Sequence, residues 1–220
     1  PKVMHQIPDN ETPVVGVITD PEARNTMINV YFKEDIVPME MRSLGAIYLT
    51  QLLQDLISNV INERLGDISK RADAPFLGAY MRYGQMTQTK DAFFGGLACK
   101  EGEGVSAFTA LMTELEKVKR YGFTEAEYER AKTNILRELE MDKDNASTRK
   151  NAELVNPLMI NFLMGYPYMD PAYEYEVAQG YLSILPLAQV NAMMPQLLNF
   201  SKNAIIIYKA PEKEGLVHPT

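Results

Sequence analysis

Side chains able to hold a metal or move a proton are few in this sequence, and they are far apart. Its only histidines, His5 and His218, lie near opposite ends of 220 residues. Neither has a second histidine four residues away, so two imidazoles cannot grip a zinc ion from one helical turn. His5 reads as an exposed terminal side chain. The lone cysteine, Cys99, rules out an internal disulfide and a thiolate metal cluster. Its strand setting suggests a small buried apolar residue. Glu138, Glu140, Asp142 and Asp144 form an acidic run. Acid–base or metal chemistry needs converging carboxylates, and these alternate around a helix, which indicates a solvated face. Neither a G-x-S-x-G string nor a Walker-type phosphate loop occurs. Tyr166, Tyr168, Tyr173 and Tyr175 cluster around Asp170, where packing between short helices is favoured over contact with a peptide. The 13 methionines are read first as adaptable core filler. The sequence thus offers no catalytic, cofactor-binding or metal-ligating residue.

Composition narrows the function classes. At 46% hydrophobic and 23% charged residues, the chain can bury one substantial core. A net charge of −7 argues against nucleic acid, whose phosphates demand concentrated positive charge. The one basic cluster, Lys117, Lys119 and Arg120, falls in the last turn of an expected helix and complements its dipole. No apolar stretch approaches the roughly 20 residues of a membrane span. The chain opens on Pro1 without an initiator Met and closes on a polar, Pro-containing string. Residues 1–11 and 211–220 are therefore expected to be linker-like ends of a single domain, 1–220, within a longer polypeptide.

The elements follow from periodicity. Thr12 to Asp20 is β-branched and apolar, and Asn25 to Lys33 alternates, with Ile28, Val30 and Phe32 on one side. Joined by a short loop, these two runs are expected to form an antiparallel pair. Met39 to Leu65 carries two adjacent apolar ridges, one through Leu52, Leu56 and Val60, the other through Leu53, Ile57 and Ile61. So wide a face predicts a central helix, with Gly66 as its stop. Phe76 to Thr89 and Ala92 to Lys100 predict two strands with Lys90-Asp91 between them. Val105 to Tyr121 predicts a helix capped by Gly122. Thr124 with Glu127 predicts a capping box for the next helix, whose buried stripe is Tyr128, Ala131, Ile135 and Leu139. Beyond Asn145 short helices are expected, one opened by Asp170-Pro171, another opened by Pro186 and ended or kinked by Pro195. Ala204 to Tyr208 predicts a last buried strand. The order ββαββα, several helices and a final strand specifies an α+β fold with a largely antiparallel sheet and helices on one face. The strand-pair-plus-helix unit echoes weakly, without a sequence repeat.

Five strings in order carry a family resemblance: the opening strand into Asp20-Pro21-Glu22; Asn62-Glu63-Arg64-Leu65 followed by Ala74-Pro75-Phe76-Leu77-Gly78-Ala79; Lys100-Glu101-Gly102; Gly122-Phe123-Thr124-Glu125-Ala126-Glu127 continuing through Glu129-Arg130-Ala131-Lys132; and Ala204 to Pro211. Together they resemble the second, non-catalytic domain of the N-terminal half in pitrilysin/insulinase-type zinc peptidases. The resemblance implies a clam-shell of two halves, each holding two related α+β domains. Zinc would belong to the parent's catalytic domain, in an H-x-x-E-H motif with a downstream Glu ligand and the motif Glu as general base. This chain lacks that motif, so no catalytic residue carries over.

The implied role is a structural one, enclosing peptide and supporting the catalytic domain. The implied partners are the other domains of the same polypeptide and a peptide substrate. The family also contains inactive members, such as partner subunits of processing peptidases and core subunits of respiratory complexes, so a pure interaction module is the competing expectation. In the far half of such peptidases an Arg and a Tyr near the zinc help bind substrate. Arg64 and the Tyr80-Arg82-Tyr83 group do not match that spacing, and a local ion pair or interdomain contact is expected of Arg64. The compartment stays open, an envelope location for a bacterial parent resting on analogy alone.

Overall fold

Five strands and six helices are present in the computed structural model, which describes residues 5–216, His218 and Pro219. In chain order they are β1 (Val14–Asp20), β2 (Thr26–Asp35), α1 (Gly45–Ser69), β3 (Gly78–Gln85), β4 (Lys90–Cys99), α2 (Gly104–Tyr121), α3 (Glu125–Asp144), α4 (Asn151–Met164), α5 (Pro171–Ile184), α6 (Leu187–Leu197) and β5 (Ala204–Pro211). This is the expected α+β order. No described helix is long and apolar enough to cross a membrane.

The chain divides into two units, one of Pro1–Ile36, Ser58–Gly122 and Asn191–Thr220, the other of Val37–Ile57 and Phe123–Val190. The first holds the sheet, in the order β1-β5-β2-β4-β3. β2 and β4 pair antiparallel over their full length, from Thr26↔Cys99 to Asp35↔Lys90. Alternation sends Ile28, Val30 and Phe32 of β2, with Phe93 and Leu97 of β4, to one buried face. The second half of α1 and all of α2 supply its cover, through Val60, Ile61, Leu65, Leu111, Leu115 and Val118. Asn62 fixes α1 to β3 reciprocally: its Nδ2 donates to the Met81 carbonyl (2.9 Å), and its Oδ1 accepts from the Met81 N–H (2.8 Å). At Gly95 a Cβ would collide with the Tyr80 carbonyl and the Met81 side chain. At Gly104 it would collide with the Tyr208 ring, so α2 starts flush against β5.

The second unit is helical. α3 and α5 pack through Ala131, Ile135, Ala178 and Leu182, all buried, and the Tyr128 hydroxyl donates to the Leu185 carbonyl (2.5 Å). The capping box opens α3, with Glu127 N–H donating to Thr124 Oγ1 and the Glu127 carboxylate accepting from Thr124 N–H. Asp170 caps α5 by accepting from the N–H groups of Ala172 and Tyr173.

Three expectations need correction. β1 does not pair with β2. It pairs in parallel with β5, from Val14↔Ile205 to Asp20↔Pro211, and β5 lies between them, antiparallel to β2. The reason lies in β5 itself: its run of Ile205, Ile206 and Ile207 is apolar on both faces, and such a strand is stabilised inside a sheet rather than at its edge. The long helix begins at Gly45, after a 3₁₀ turn at Met39–Met41, and runs through Gly66 to Ser69. The apolar ridges ending at fully buried Leu65 outweigh the roughly 1 kcal/mol cost of an interior glycine. Lys90 is also not in the hairpin turn. Residues 86–89 make the turn, with Met86 and Thr87 N–H donating to the Lys90 carbonyl, and Lys90 opens β4.

Candidate docking surfaces

Two surfaces stand out from the residues upward, one on each unit. On the first unit the sheet has an uncovered face, reached by the side chains that alternate away from the helices. Register places Val14 and Ile18 of β1 with Ile205, Ile207 and Lys209 of β5. It places Met27 and Tyr31 of β2 beside Ala98 and Phe94 of β4, and Tyr80 and Arg82 of β3 beyond them. Ile18, Met27 and Tyr80 are each about half exposed, at 50%, 48% and 49%. The face is ordered by stacking: the Tyr31 and Phe94 rings lie 5.7 Å apart and near-parallel, and the Arg82 guanidinium sits 4.8 Å from the Phe94 ring centre. At the edge, β5 is the one strand that pairs with β1 among the described residues, so the other side of β1 is an open edge. Val14, Val15, Val17 and Ile18 are all exposed there. Edge strands normally carry charge or proline against unwanted pairing, so an apolar edge of this length is a candidate docking surface.

On the second unit the corresponding feature is α4. None of its residues is buried, yet Val155, Leu158, Met159, Phe162 and Leu163 are all exposed, Phe162 at 82%. A helix with no buried stripe and this composition is the second candidate docking surface.

The residues weighed from sequence fall as follows. Arg64 is a local anchor: Nη1 lies 3.3 Å from Glu114 Oε1, and Nη2 donates to the Gly122 carbonyl at 3.1 Å. The Tyr80-Arg82-Tyr83 group is split by strand alternation. Tyr80 and Arg82 reach the open face, while Tyr83 turns inward and its hydroxyl donates to the Leu197 carbonyl (3.1 Å). Glu138, Glu140, Asp142 and Asp144 are exposed, and Asp142 pairs with Arg149 (3.2 Å). Arg42 stacks on Tyr166 and Lys143 on Tyr175, whereas Tyr168 and Tyr173 are exposed. Of the basic cluster, Lys117 meets Glu114, Arg120 meets Glu116, and Lys119 lies over the Phe200 ring.

Met81 and Met194 are fully buried, but Met27, Met39, Met41, Met141 and Met159 are exposed, so methionine is surface as much as filler. Cys99 is fully buried, and burial pushes its thiol up to about 11, far from a reactive thiolate. His5 is exposed, and the His218 ring packs edge-on against Tyr208. Among the described residues no three His, Cys, Asp or Glu side chains converge as metal ligands. These groups do not fit a zinc ion, and no chemical step is derived through one. Sequence reasoning did not single out the open face or α4; the signal for α4 was its composition, apolar all round with few charges.

No family model and no curated protein sequence matches the chain. Solved structures do. The periplasmic protease PqqL from Escherichia coli superposes with a TM-score of 0.80 at 17% identity, covering 96% of this chain and 23% of that one. A predicted insulinase family protease from Yersinia pestis gives 0.77 at 14%, covering 97% and 46%. A peptidase M16 inactive domain from Pseudomonas fluorescens gives 0.68 at 16%, covering 97% and 46%. At these identities the likeness establishes the fold, which is that of a domain in insulinase-type peptidases. The chain spans about a quarter of PqqL and under half of the other two.

Proposed function

We propose that this chain is a non-catalytic domain of a zinc-dependent endopeptidase, forming part of the peptide-enclosing chamber and supporting the catalytic domain. The observation that carries the reading is the superposition of 96% of the chain onto only 23% of a full-length protease. The separation of His5 and His218 agrees with it, since zinc and the general base then belong to another domain of the parent. In this reading the open sheet face rests on a neighbouring domain, and the apolar β1 edge offers backbone groups to an extended peptide by strand addition. Burying the open face removes apolar side chains from water, at about 25 cal/mol for each Å² covered.

The test uses the purified chain. It is expected to fold alone, to carry no stoichiometric zinc by elemental analysis, and to leave peptides uncleaved. Stoichiometric zinc together with peptide cleavage overturns the proposal. One observation favours a second reading, an interaction module of an inactive relative: the Pseudomonas neighbour is itself described as an inactive domain. The two separate on the parent's sequence, which contains H-x-x-E-H under the first reading and lacks it under the second.

A further inference from the structure

The first unit has a half-open cavity of about 420 Å³ at the end of the sheet, beneath the loop that joins α6 to β5. That volume falls in the range of small-molecule sites. Phe200 forms its apolar wall, backed by buried Phe32 and Phe93: Phe32 lies 4.6 Å from Phe200 and 6.4 Å from Phe93, centre to centre. The loop bearing Phe200 is held in shape from both sides. Asn199 Oδ1 accepts from Ser201 N–H and Oγ, and Asn203, in the left-handed region at φ 59°, exchanges hydrogen bonds with Asn10. The wall is therefore pre-formed rather than assembled on binding.

One charged group in this wall lacks a counterpart. Glu34 lies two residues beyond Phe32 on the same face of β2 and sits opposite Asp91 in the ladder. Among the described residues no hydrogen bond or ion pair engages its carboxyl. Partial burial, and then the charge of Asp91, push Glu34 up to about 7. The titratable groups that face it are Asp91 on β4 and Tyr83 on β3; Lys33 and Asp35, its neighbours on β2, and Lys202 in the loop above also line the cavity. The nearby ammonium groups are committed elsewhere. Lys33 donates to the Pro8 carbonyl, Lys90 pairs with Asp9 (2.8 Å) and Asp35 (2.6 Å), and Lys202 pairs with Glu11 (3.0 Å).

An unneutralised carboxylate beside aromatic faces selects among ligands. It repels anions, and an apolar ligand would leave the carboxylate desolvated and unpaired. A hard metal ion needs about six converging oxygens, which are not gathered here. An organic cation satisfies both walls, its charge on the carboxylate and its flat or alkyl body on the rings. Gln196 lines the same cavity and adds an amide oxygen for a remaining N–H donor. We propose that this cavity binds a guanidinium or alkylammonium group, with Glu34 as its counter-ion and the Phe200 ring, backed by buried Phe32 and Phe93, as its apolar wall. The inference stands on the cavity and is independent of the peptidase reading.

Calorimetric titration of the 220-residue chain tests it, with N-acetyl-arginine methylamide, butylguanidinium and neutral N-acetyl-norleucine methylamide as probes. Both cations are expected to bind at about pH 8 and to lose roughly tenfold or more in affinity at about pH 5, where Glu34 is protonated. The norleucine analogue is expected not to bind. Tighter binding of the arginine amide than of butylguanidinium assigns the site to a basic side chain of a peptide, and equal binding assigns it to a free small cation. Glu34→Gln is expected to weaken both cations about tenfold at pH 8, whereas Glu138→Gln, on exposed α3, leaves them unchanged. In the unmodified chain, carboxyl ¹³C titration is expected to show the Glu34 pKa falling when the cation is added. Absent binding at pH 8, equal binding of norleucine, or affinity and pKa that ignore Glu34 each overturns the proposal.

Discussion

Glu34 also makes the fold itself responsive to pH. Its folded value, about 7, lies above the ordinary 4.5. A raised carboxyl contributes stability while protonated, in full below the unfolded value, and that contribution is lost as pH rises through the folded one. Between about pH 4.5 and 7 the chain is therefore expected to lose stability at this position. Above pH 7, Glu34→Gln should be the more stable protein by about 1–2 kcal/mol, allowing for solvent screening of a half-buried group. At about pH 4 the two should be indistinguishable, and urea melts at both pH values check this. A variant no more stable than the parent at pH 8 would show the carboxyl to be better solvated than its burial indicates. Gly95 is a steric rather than an electrostatic case. Because a Cβ there meets backbone and the buried Met81, Gly95→Ala is expected to cost about 1–3 kcal/mol. Gly16→Ala, where the Cβ meets nothing, serves as the mild comparison in the same melts.

At the scale of elements, helix termini are where short-range chemistry decides structure. Thr124→Ala and Asp170→Ala each remove a side-chain acceptor from first-turn N–H groups, and each is expected to cost about 1 kcal/mol. Hydrogen exchange should show the loss confined to the first turn of α3 or α5; unchanged exchange in both variants would mean that packing alone holds those ends. These same caps were legible in the sequence, as were the β2 alternation and the two ridges of α1, because each is fixed by residues within a few positions of one another. What escaped is non-local. Nothing in Thr12 to Asp20 states that its ladder partner lies some 190 positions away, and hairpin reasoning supplied the wrong neighbour. Gly66 misled for a related reason, since the stop signal is local and the packing that overrides it is not. The candidate surfaces were less legible still. An apolar side chain on β1 or α4 reads as core until the sheet order and the burial show that nothing covers it.

For the whole molecule, the exposed β1 edge and α4 predict behaviour of the chain when it is alone. With apolar residues on an unpaired strand, it is expected to self-associate as concentration rises. Ile18→Lys, a charge placed on an exposed edge position, should shift sedimentation toward monomer with little change in the urea midpoint. Association that is indifferent to Ile18→Lys, yet abolished by Phe162→Ser, would place the sticky surface on α4 instead. Either outcome distinguishes the two surfaces, because each substitution lies in a different unit.

The position of β5 has a consequence for synthesis. Among the described residues, the first strand of this domain, β1, pairs with its last, β5, and β5 also completes the interior of the sheet beside β2. While the ribosome is still reading through α6, the β2–β4–β3 ladder can already form, but Val14 to Asp20 has no ladder to join. A nascent chain stalled before Ala204 therefore leaves β1 without a ladder, and the side of β2 that β5 later occupies unpaired, until β5 has been synthesised.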